Sequence, residues 1–190
     1  MRILIVDPNL ERARLIEQAL HEAGDDSMQI AAEPGHLLDL LRQTDPDAVI
    51  VALDEPDTAV IAQLATASAG HPRPVVMFVR QSDSAALQAA VSAGVSSYVV
   101  DGLQAARVKP ILDVAVARFR EAERLRHELD TARASLAERK LIDRAKGILM
   151  QARGLTEDDA YILLRSKAMA EQKKLSEIAQ SVITAAALLK

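Results

Sequence analysis

Short apolar runs, separated by stretches of helical character, constrain the fold of this chain more than any other feature. Most of the runs lack polar alternation, which is typical of strands buried on both faces of a parallel sheet. The runs are RILIV (2–6), a weaker one near 28–32, DAVIVAL (47–53), PVVMFV (74–79) and SSYVV (96–100). Residues 1–110 are therefore predicted to form an α/β domain with a doubly wound, five-stranded parallel sheet.

The segments between the runs are predicted to be helices. Gly24 and Gly94 stand where two of these helices end, and glycine readily takes the left-handed conformation at a helix C-terminus. In doubly wound sheets, binding sites form at the carboxyl ends of the strands. The residues predicted at those ends are Asp7, Ala52, Val79 and Val100.

The composition excludes several kinds of site. The chain has no cysteine among its 190 residues, which excludes disulfides, zinc–thiolate sites and thiol nucleophiles. Its four histidines lack metal-ligand spacing, and the sequence shows no glycine-rich phosphate loop or nucleophile–base pair. No enzymatic activity, metal ion or cofactor is therefore expected. The N-terminus does not resemble a signal peptide and no apolar stretch approaches the ~18 residues of a membrane span, so a soluble, cytoplasmic protein is expected.

Charge is distributed unevenly along the chain. Residues 1–110 carry 8 Lys/Arg against 15 Asp/Glu, a net charge of −7, whereas residues 111–190 carry 15 against 12, a net charge of +3. The second part is therefore the one expected to meet a polyanion such as a nucleic acid. A charge of +3 is also ordinary for a solvated helical segment, so charge alone leaves the partner open.

A long helical segment follows the predicted sheet. Between Gln104 and Gly154 the only proline is Pro110, which is predicted to lie in the first turn of a helix. Apolar spacings that alternate between three and four residues indicate about two heptads of a coiled-coil seam. The seam residues are Ala122, Leu125, Leu129, Ala132 and Leu136. Residues 111–136 are interpreted as a dimerising coiled-coil linker, and a long helix that lies on its own domain is the alternative.

The last segment, residues 137–190, is predicted to contain three short helices, at 141–154, 155–174 and 175–190. Thr156 and Ser176 are predicted to cap the second and third of these helices. The predicted core is too small to be stable alone and is expected to lean on the coiled coil. That core consists of Ile162, Leu163 and Met169 facing Ile178, Val182 and Ile183.

Two known domains resemble these segments. Residues 1–110 resemble the receiver domain of bacterial response regulators, which has a flavodoxin-like fold, and the last fifty residues resemble an ANTAR domain. The ANTAR resemblance rests on Ala145, Lys146, Gly147, Met150, Ala160, Tyr161, Arg165, Ala168 and Met169. The whole chain is similar to the AmiR/NasT family of transcription antiterminators and especially to its nitrate/nitrite-assimilation members, including GVSSYVVDG (94–102) and RVKPILDVAVARF (107–119) at the domain junction.

The receiver resemblance implies a phosphorylation site whose residues are largely missing. Receiver chemistry uses two acids after the first strand to hold Mg²⁺, an acceptor aspartate after the third, a Ser/Thr after the fourth and a Lys after the fifth. With the register set by Pro56, these positions hold Asp7, Pro8, Ala52, Val79 and Asp101. The domain is therefore predicted to be a phosphorylation-independent pseudo-receiver that serves as a docking platform. Asp54, two residues after Ala52, is the alternative acceptor.

The ANTAR resemblance implies that a dimer binds a pair of small hairpins in a leader transcript and so prevents a terminator from forming. Hairpin loops suit such recognition because their bases can be splayed out and read. The candidate RNA-binding residues are Lys146, Arg165, Arg144, Arg139, Lys140, Arg153, Lys167, Lys173 and Lys174. Core packing is favoured for Tyr161 over stacking on a base. Gly147 is predicted to allow close approach of another helix or of RNA.

The family resemblance also implies a protein partner, a NasS-like nitrate/nitrite sensor that holds the antiterminator until its ligand binds. Two other functions are weighed against RNA binding. A DNA-binding response regulator needs a polar recognition helix. The last helix, EIAQSVITAAALLK, is apolar and nearly uncharged, which argues against this function. An interaction scaffold, with helices that serve only dimerisation and partner binding, is compatible with the charge but is not favoured by the ANTAR resemblance.

Overall fold

The computed structural model describes residues 1–188, which form two compact units. The first unit ends at Glu123 and the second begins at Arg124. The boundary between them falls inside one long helix. Residues 189 and 190 of the predicted last helix lie outside the described residues.

The first unit contains the predicted five-stranded parallel sheet. Its spatial strand order is β2-β1-β3-β4-β5, and all four neighbouring pairs are parallel. The strands are β1 (Arg2–Val6), β2 (Ser27–Ala31), β3 (Ala48–Leu53), β4 (Val75–Val79) and β5 (Ser97–Val100). Every residue of β3 and β4 is buried, as expected for central strands that helices cover on both faces. The predicted α/β fold is therefore confirmed.

Helices cover both faces of this sheet. They are α1 (Leu10–Glu22), a short 3₁₀ helix (Pro34–His36), α2 (Leu37–Thr44), α3 (Thr58–Gly70), α4 (Ser84–Ser92) and the start of α5 (Ala105–Arg153). Leu4, Leu64 and Met77 belong to the core beneath α2, α3 and α4. Ile5, Ile16 and Leu112 belong to the opposite core, beneath α1 and α5. The alternation of strand residues between the two cores follows from the two-residue period of a strand.

Helix α5 is one continuous element of 49 residues, which corrects two predictions. The segment predicted as a separate helix at 141–154 is the C-terminal part of α5. Pro110 is the sixth residue of α5 rather than a first-turn residue. The proline deprives the Ala106 carbonyl of its intrahelical donor, but Ala106 is exposed, so water can replace that donor. Despite the length of α5, no helix among residues 1–188 is long and apolar enough to cross a membrane.

The second unit packs α6 (Glu157–Glu171) and α7 (Leu175–Leu188) against the end of α5. Its core cluster consists of the buried residues Ala145, Leu164, Ala168, Ile178 and Ala179, and Ala160 is buried as well. Ile178, Val182 and Ile183 contribute to this core as predicted.

The predicted inner face of α6 is wrong. Ile162 and Met169 are 62% and 71% exposed. The buried side chains of α6 are Ala160, Leu164 and Ala168, which are spaced by four residues on one helix face. Small side chains at 160 and 168 flank Leu164 on this face, whereas Ile162 and Met169 lie off the face and are left outside the core.

The N-cap prediction for α7 is also wrong, whereas that for α6 is confirmed. Thr156 accepts a hydrogen bond from the Asp159 N–H, at 3.2 Å between Oγ1 and N. Helix α7 begins at Leu175, so Ser176 lies inside the helix and is not its N-cap. The Lys174 N–H donates to Glu177 Oε2 at 3.0 Å, so a carboxylate satisfies the backbone at this helix start.

We predict that Leu164→Ala destabilises the second unit, because Leu164 is 1% exposed in a small core. The expected loss is about 2–5 kcal/mol of unfolding free energy, measured by urea unfolding followed by circular dichroism. Ile162→Ala is the matched control on the same helix and should change the stability by less than about 0.5 kcal/mol. Equal losses in both variants would contradict the assigned inner face of α6.

Candidate functional site

The carboxyl edge of the sheet brings together the residues that the receiver resemblance singles out. Asp7 follows β1 and is fully buried, and Ala52 and Val79 are buried in β3 and β4. Asp101 follows β5, is exposed and has a left-handed φ of 49°. The backbone links the strand ends, because the N–H of Asp101 donates to Val79 O at 2.9 Å and that of Asp7 to Ala31 O at 3.0 Å.

Arg12, in the first turn of α1, lies at the centre of this edge. Its guanidinium makes a two-pronged pair with Asp7, with Nε 2.7 Å from Oδ2 and Nη2 2.8 Å from Oδ1. Nη1 also donates to Asp54 Oδ1 at 2.8 Å, and Nη2 to the Ala52 carbonyl at 3.3 Å. The Asn9 N–H donates to Asp7 Oδ1 at 2.8 Å. The buried carboxylate of Asp7 is thereby fully paired.

Sequence reasoning did not identify Arg12. A signal was nevertheless present, because Asn9 caps α1 and places Arg12 in its first turn, where the helix dipole disfavours a cation. A cation in that position is stable when a carboxylate lies opposite it. The five-residue separation from Asp7 at a strand end is compatible with such a pair, but the contact with Asp54 depends on the tertiary fold.

The contacts of Arg12 change the protonation behaviour of the cluster. Hydrogen bonding to Asp7 raises the pKa of Arg12 above its usual value, so the guanidinium stays charged. The hydrogen bond and the charge of Arg12 lower the pKa of Asp54 below its usual value. Asp54 is therefore an ion-paired carboxylate at neutral pH.

The residues at this edge do not fit the Mg²⁺ ion and phosphoryl group that receivers use. Arg12 already binds the carboxylates of Asp7 and Asp54, and the side chain of Pro8 has no oxygen that could bind a cation. No group of three or more His, Asp or Glu side chains in residues 1–188 has metal-binding geometry. An adjoining cavity of about 220 Å³ is lined by Arg12, Val79 and the acidic Asp101, where receivers place a lysine.

The predicted RNA-binding residues lie in the second unit, on α5, α6 and the α6–α7 connection. Most of them are exposed, and these are Arg139, Lys140, Arg144, Arg153, Arg165, Lys167, Lys173 and Lys174. Two of them have a shared carboxylate partner: Lys167 and Lys173 lie 3.0 and 2.9 Å from the oxygens of Glu171. The hydrogen bond from Lys173 and, to a smaller extent, that from Lys167 lower the pKa of Glu171.

Lys146 differs from the other candidates because its side chain is only 14% exposed. Its Nζ lies 2.7 Å from Asp143 Oδ1 and 2.7 Å from Glu157 Oε1. The hydrogen bond to Asp143 and, to a smaller extent, that to Glu157 raise the pKa of Lys146. Lys146 therefore ties α5 to the first turn of α6 in this structure, a role that its place in the ANTAR pattern did not indicate.

An outward face of α6 carries large apolar residues next to a cation. Tyr161, predicted to pack in the core, is 41% exposed, because the inward face is formed by its neighbour Ala160 and by Leu164. Arg165 follows Tyr161 by four residues, so the two side chains are neighbours on the helix surface. A side chain at Gly147 would meet no atom of another element within 4 Å, so no other helix among residues 1–188 makes the predicted close approach.

The predicted coiled-coil seam is uncovered. Leu125, Leu129 and Leu136 are 51%, 49% and 55% exposed, and Ala122 and Ala132 are exposed as well. A row of leucines exposed at heptad spacing is the pattern of a helix that pairs with another.

Comparison with known proteins identifies relatives for both units. Residues 130–183 match the model of the ANTAR domain. The chain is 30% identical over 183 residues to the transcriptional regulatory protein PdtaR of Mycobacterium tuberculosis, covering 96% of this chain and 89% of that protein. It is also 35% identical over 80 residues to the nitrate regulatory protein of Klebsiella oxytoca, covering 42% of this chain and 20% of that protein.

The sheet unit has relatives among solved structures. A CheY-like response regulator receiver domain from Methanospirillum hungatei superposes with a TM-score of 0.52 at 22% identity. That match covers 60% of this chain and 94% of the receiver domain, so it supports the flavodoxin-like receiver fold of the first unit.

We predict that Asp54→Asn lowers stability at neutral pH but not in acid. A carboxyl group whose pKa is lowered by folding stabilises the folded state above its unfolded pKa, and this contribution disappears as pH falls through the folded pKa. Thermal midpoints of wild type and Asp54→Asn should therefore differ at pH 7 and converge below the ordinary pKa of 3.8. The exposed neighbour Glu55 supplies the control variant Glu55→Gln. A pH-independent difference for Asp54→Asn would contradict the ion pair with Arg12.

Proposed function

The chain belongs to the family of ANTAR-domain response regulators to which PdtaR also belongs, and from this premise we propose that it binds RNA and regulates transcription by antitermination. The observation that carries the proposal is the ANTAR match over residues 130–183, because it coincides with the exposed basic residues of the second unit. Phosphate contacts by these residues supply affinity and salt dependence.

Tyr161 and Arg165 are the residues best placed to contribute base recognition. An exposed tyrosine can stack on a splayed loop base, and an adjacent guanidinium can stack or form a forked pair of hydrogen bonds. Both belong to the ANTAR pattern and share one surface of α6. Arg139, Lys140 and Arg144 extend the basic surface along α5. Lys146 acts in this proposal mainly by holding α6 in place through Asp143 and Glu157.

The active form is proposed to be a homodimer joined through the coiled-coil seam. Pairing two seams buries leucines that the single chain exposes. A dimer presents two ANTAR domains, and linking two binding modules raises avidity for an RNA with two hairpins without any new contact. Capture of both hairpins is the step that prevents the competing terminator hairpin.

The receiver unit is proposed to act independently of phosphorylation. Alanine occupies the acceptor position, and Asp54, the displaced alternative, is held by Arg12. The unit is then a docking platform for a protein input. The similarity to a nitrate regulatory protein supports control of nitrate/nitrite assimilation, with a NasS-like nitrate/nitrite sensor as the partner.

We predict tight binding to a leader RNA with two hairpins and weaker binding to a single-hairpin RNA or a duplex DNA of equal length. In filter-binding titrations at two salt concentrations, Arg165→Ala and Tyr161→Ala should each weaken binding about tenfold. Arg14→Ala, an exposed arginine of α1, is the control and should leave affinity unchanged. Acetyl phosphate should have no effect. Equal, weak, salt-sensitive binding to all three nucleic acids would instead favour an interaction scaffold.

We predict that Leu129→Asp prevents dimerisation, because it places a charge in the middle of the apolar seam. Sedimentation equilibrium in the presence of the two-hairpin RNA should show a dimer for wild type and a monomer for the variant. Ala134→Asp, outside the seam and also exposed, is the matched control and should remain dimeric. A dimeric Leu129→Asp protein would contradict the assigned seam.

A further inference from the structure

We infer that the Arg12 guanidinium is a tethered cation that takes the place of a divalent metal ion at the carboxyl edge of the sheet. An arginine of the domain itself thus neutralises the carboxylates at this edge, so the domain does not respond to magnesium. This inference concerns the first unit alone and does not depend on RNA binding.

The oxygen atoms around Arg12 are those that a hard cation prefers. Both carboxylate oxygens of Asp7, one of Asp54 and the main-chain carbonyl of Ala52 converge on the guanidinium, at 2.7 to 3.3 Å. Carboxylates and backbone carbonyls are typical ligands of Mg²⁺ and Mn²⁺. All three guanidinium nitrogens are engaged, so this planar group satisfies several oxygens at once.

Burial makes this cation indispensable. Asp7 is the one polar or charged residue that is fully buried in residues 1–188. A buried carboxylate is stable only when it is paired and hydrogen-bonded. Besides the Asn9 N–H, the partner of Asp7 is Arg12, whose own side chain is only 20% exposed. Loss of Arg12 therefore leaves an unneutralised buried charge.

The same contacts hold three chain segments together. Asp7 directly follows β1, Arg12 belongs to the first turn of α1, and Asp54 begins the turn after β3. One side chain joins these segments without any ligand. The contact with Asp54 consequently anchors the start of the acidic turn between β3 and α3, which suits a docking surface that is always presented.

The inference predicts that removing the tethered cation creates a metal site. Wild type should bind Mn²⁺ weakly, whereas Arg12→Gln should bind it at least about tenfold more tightly, because two carboxylates and a carbonyl are left without a cation. The measurement is a Mn²⁺ titration of the full chain followed by electron paramagnetic resonance. The thermal midpoint of Arg12→Gln should fall by roughly 10 °C and recover on addition of Mn²⁺ or Mg²⁺.

Two further variants make the test decisive. Arg14→Gln, on the solvent face of α1, is the control and should behave as wild type. Asp7→Asn/Arg12→Gln should regain stability without binding Mn²⁺, because the need for a cation comes from the charge of Asp7. This double variant keeps the test valid if Arg12→Gln fails to fold.

Three results would overturn the inference. The first is Mn²⁺ binding by wild type as tight as that of Arg12→Gln. The second is an Arg12→Gln protein with unchanged stability and no gain in Mn²⁺ affinity. The third is a double variant as unstable as Arg12→Gln, which would mean that Arg12 acts through packing rather than through its charge.

Discussion

A buried carboxylate at the end of the first strand sets the chemistry of the whole sheet edge. Asp7 has no access to solvent, so its charge must be neutralised from within the chain. Arg12 meets this requirement with two hydrogen bonds and uses its remaining donors on Asp54 and the Ala52 carbonyl. The receiver fold is kept, and in our inference the Arg12 side chain takes the place of the cation that receivers use for phosphoryl transfer.

The second unit depends on a different constraint, the small size of its core. Ala145, Ala160, Ala168 and Ala179 contribute small side chains to the buried helix faces, so this core holds few large buried residues, namely Leu164 and Ile178. Tyr161, Ile162 and Met169 consequently lie on the surface, as do the leucines of the α5 seam. Exposed apolar residues of this kind mark surfaces that contact a partner. The proposed RNA and dimer contacts use these two surfaces.

Sequence reasoning was most successful where a single period decides the outcome. The buried runs, their parallel arrangement and the cap at Thr156 followed from local pattern alone. It failed where the choice lay between alternative faces of one helix. On α6, hydrophobicity favoured Ile162 and Met169, whereas the packing distance between helices selected Ala160 and Ala168. The sequence did not predict that α5 continues past residue 141, because no residue near that position indicates whether a helix ends or continues there.

The sequence by itself determined the α/β class, the alanine at the position where the receiver resemblance places the acceptor, and the ANTAR pattern, because each is carried by residue types at short spacing. Tertiary structure alone decided the partners of the charged groups. Asp54 is 42 residues from Arg12 in sequence, and Glu157 is 11 residues from Lys146, yet each pair lies within hydrogen-bonding distance. Electrostatic interactions act through space, so only the folded chain shows which charges are paired and which are free to meet a ligand.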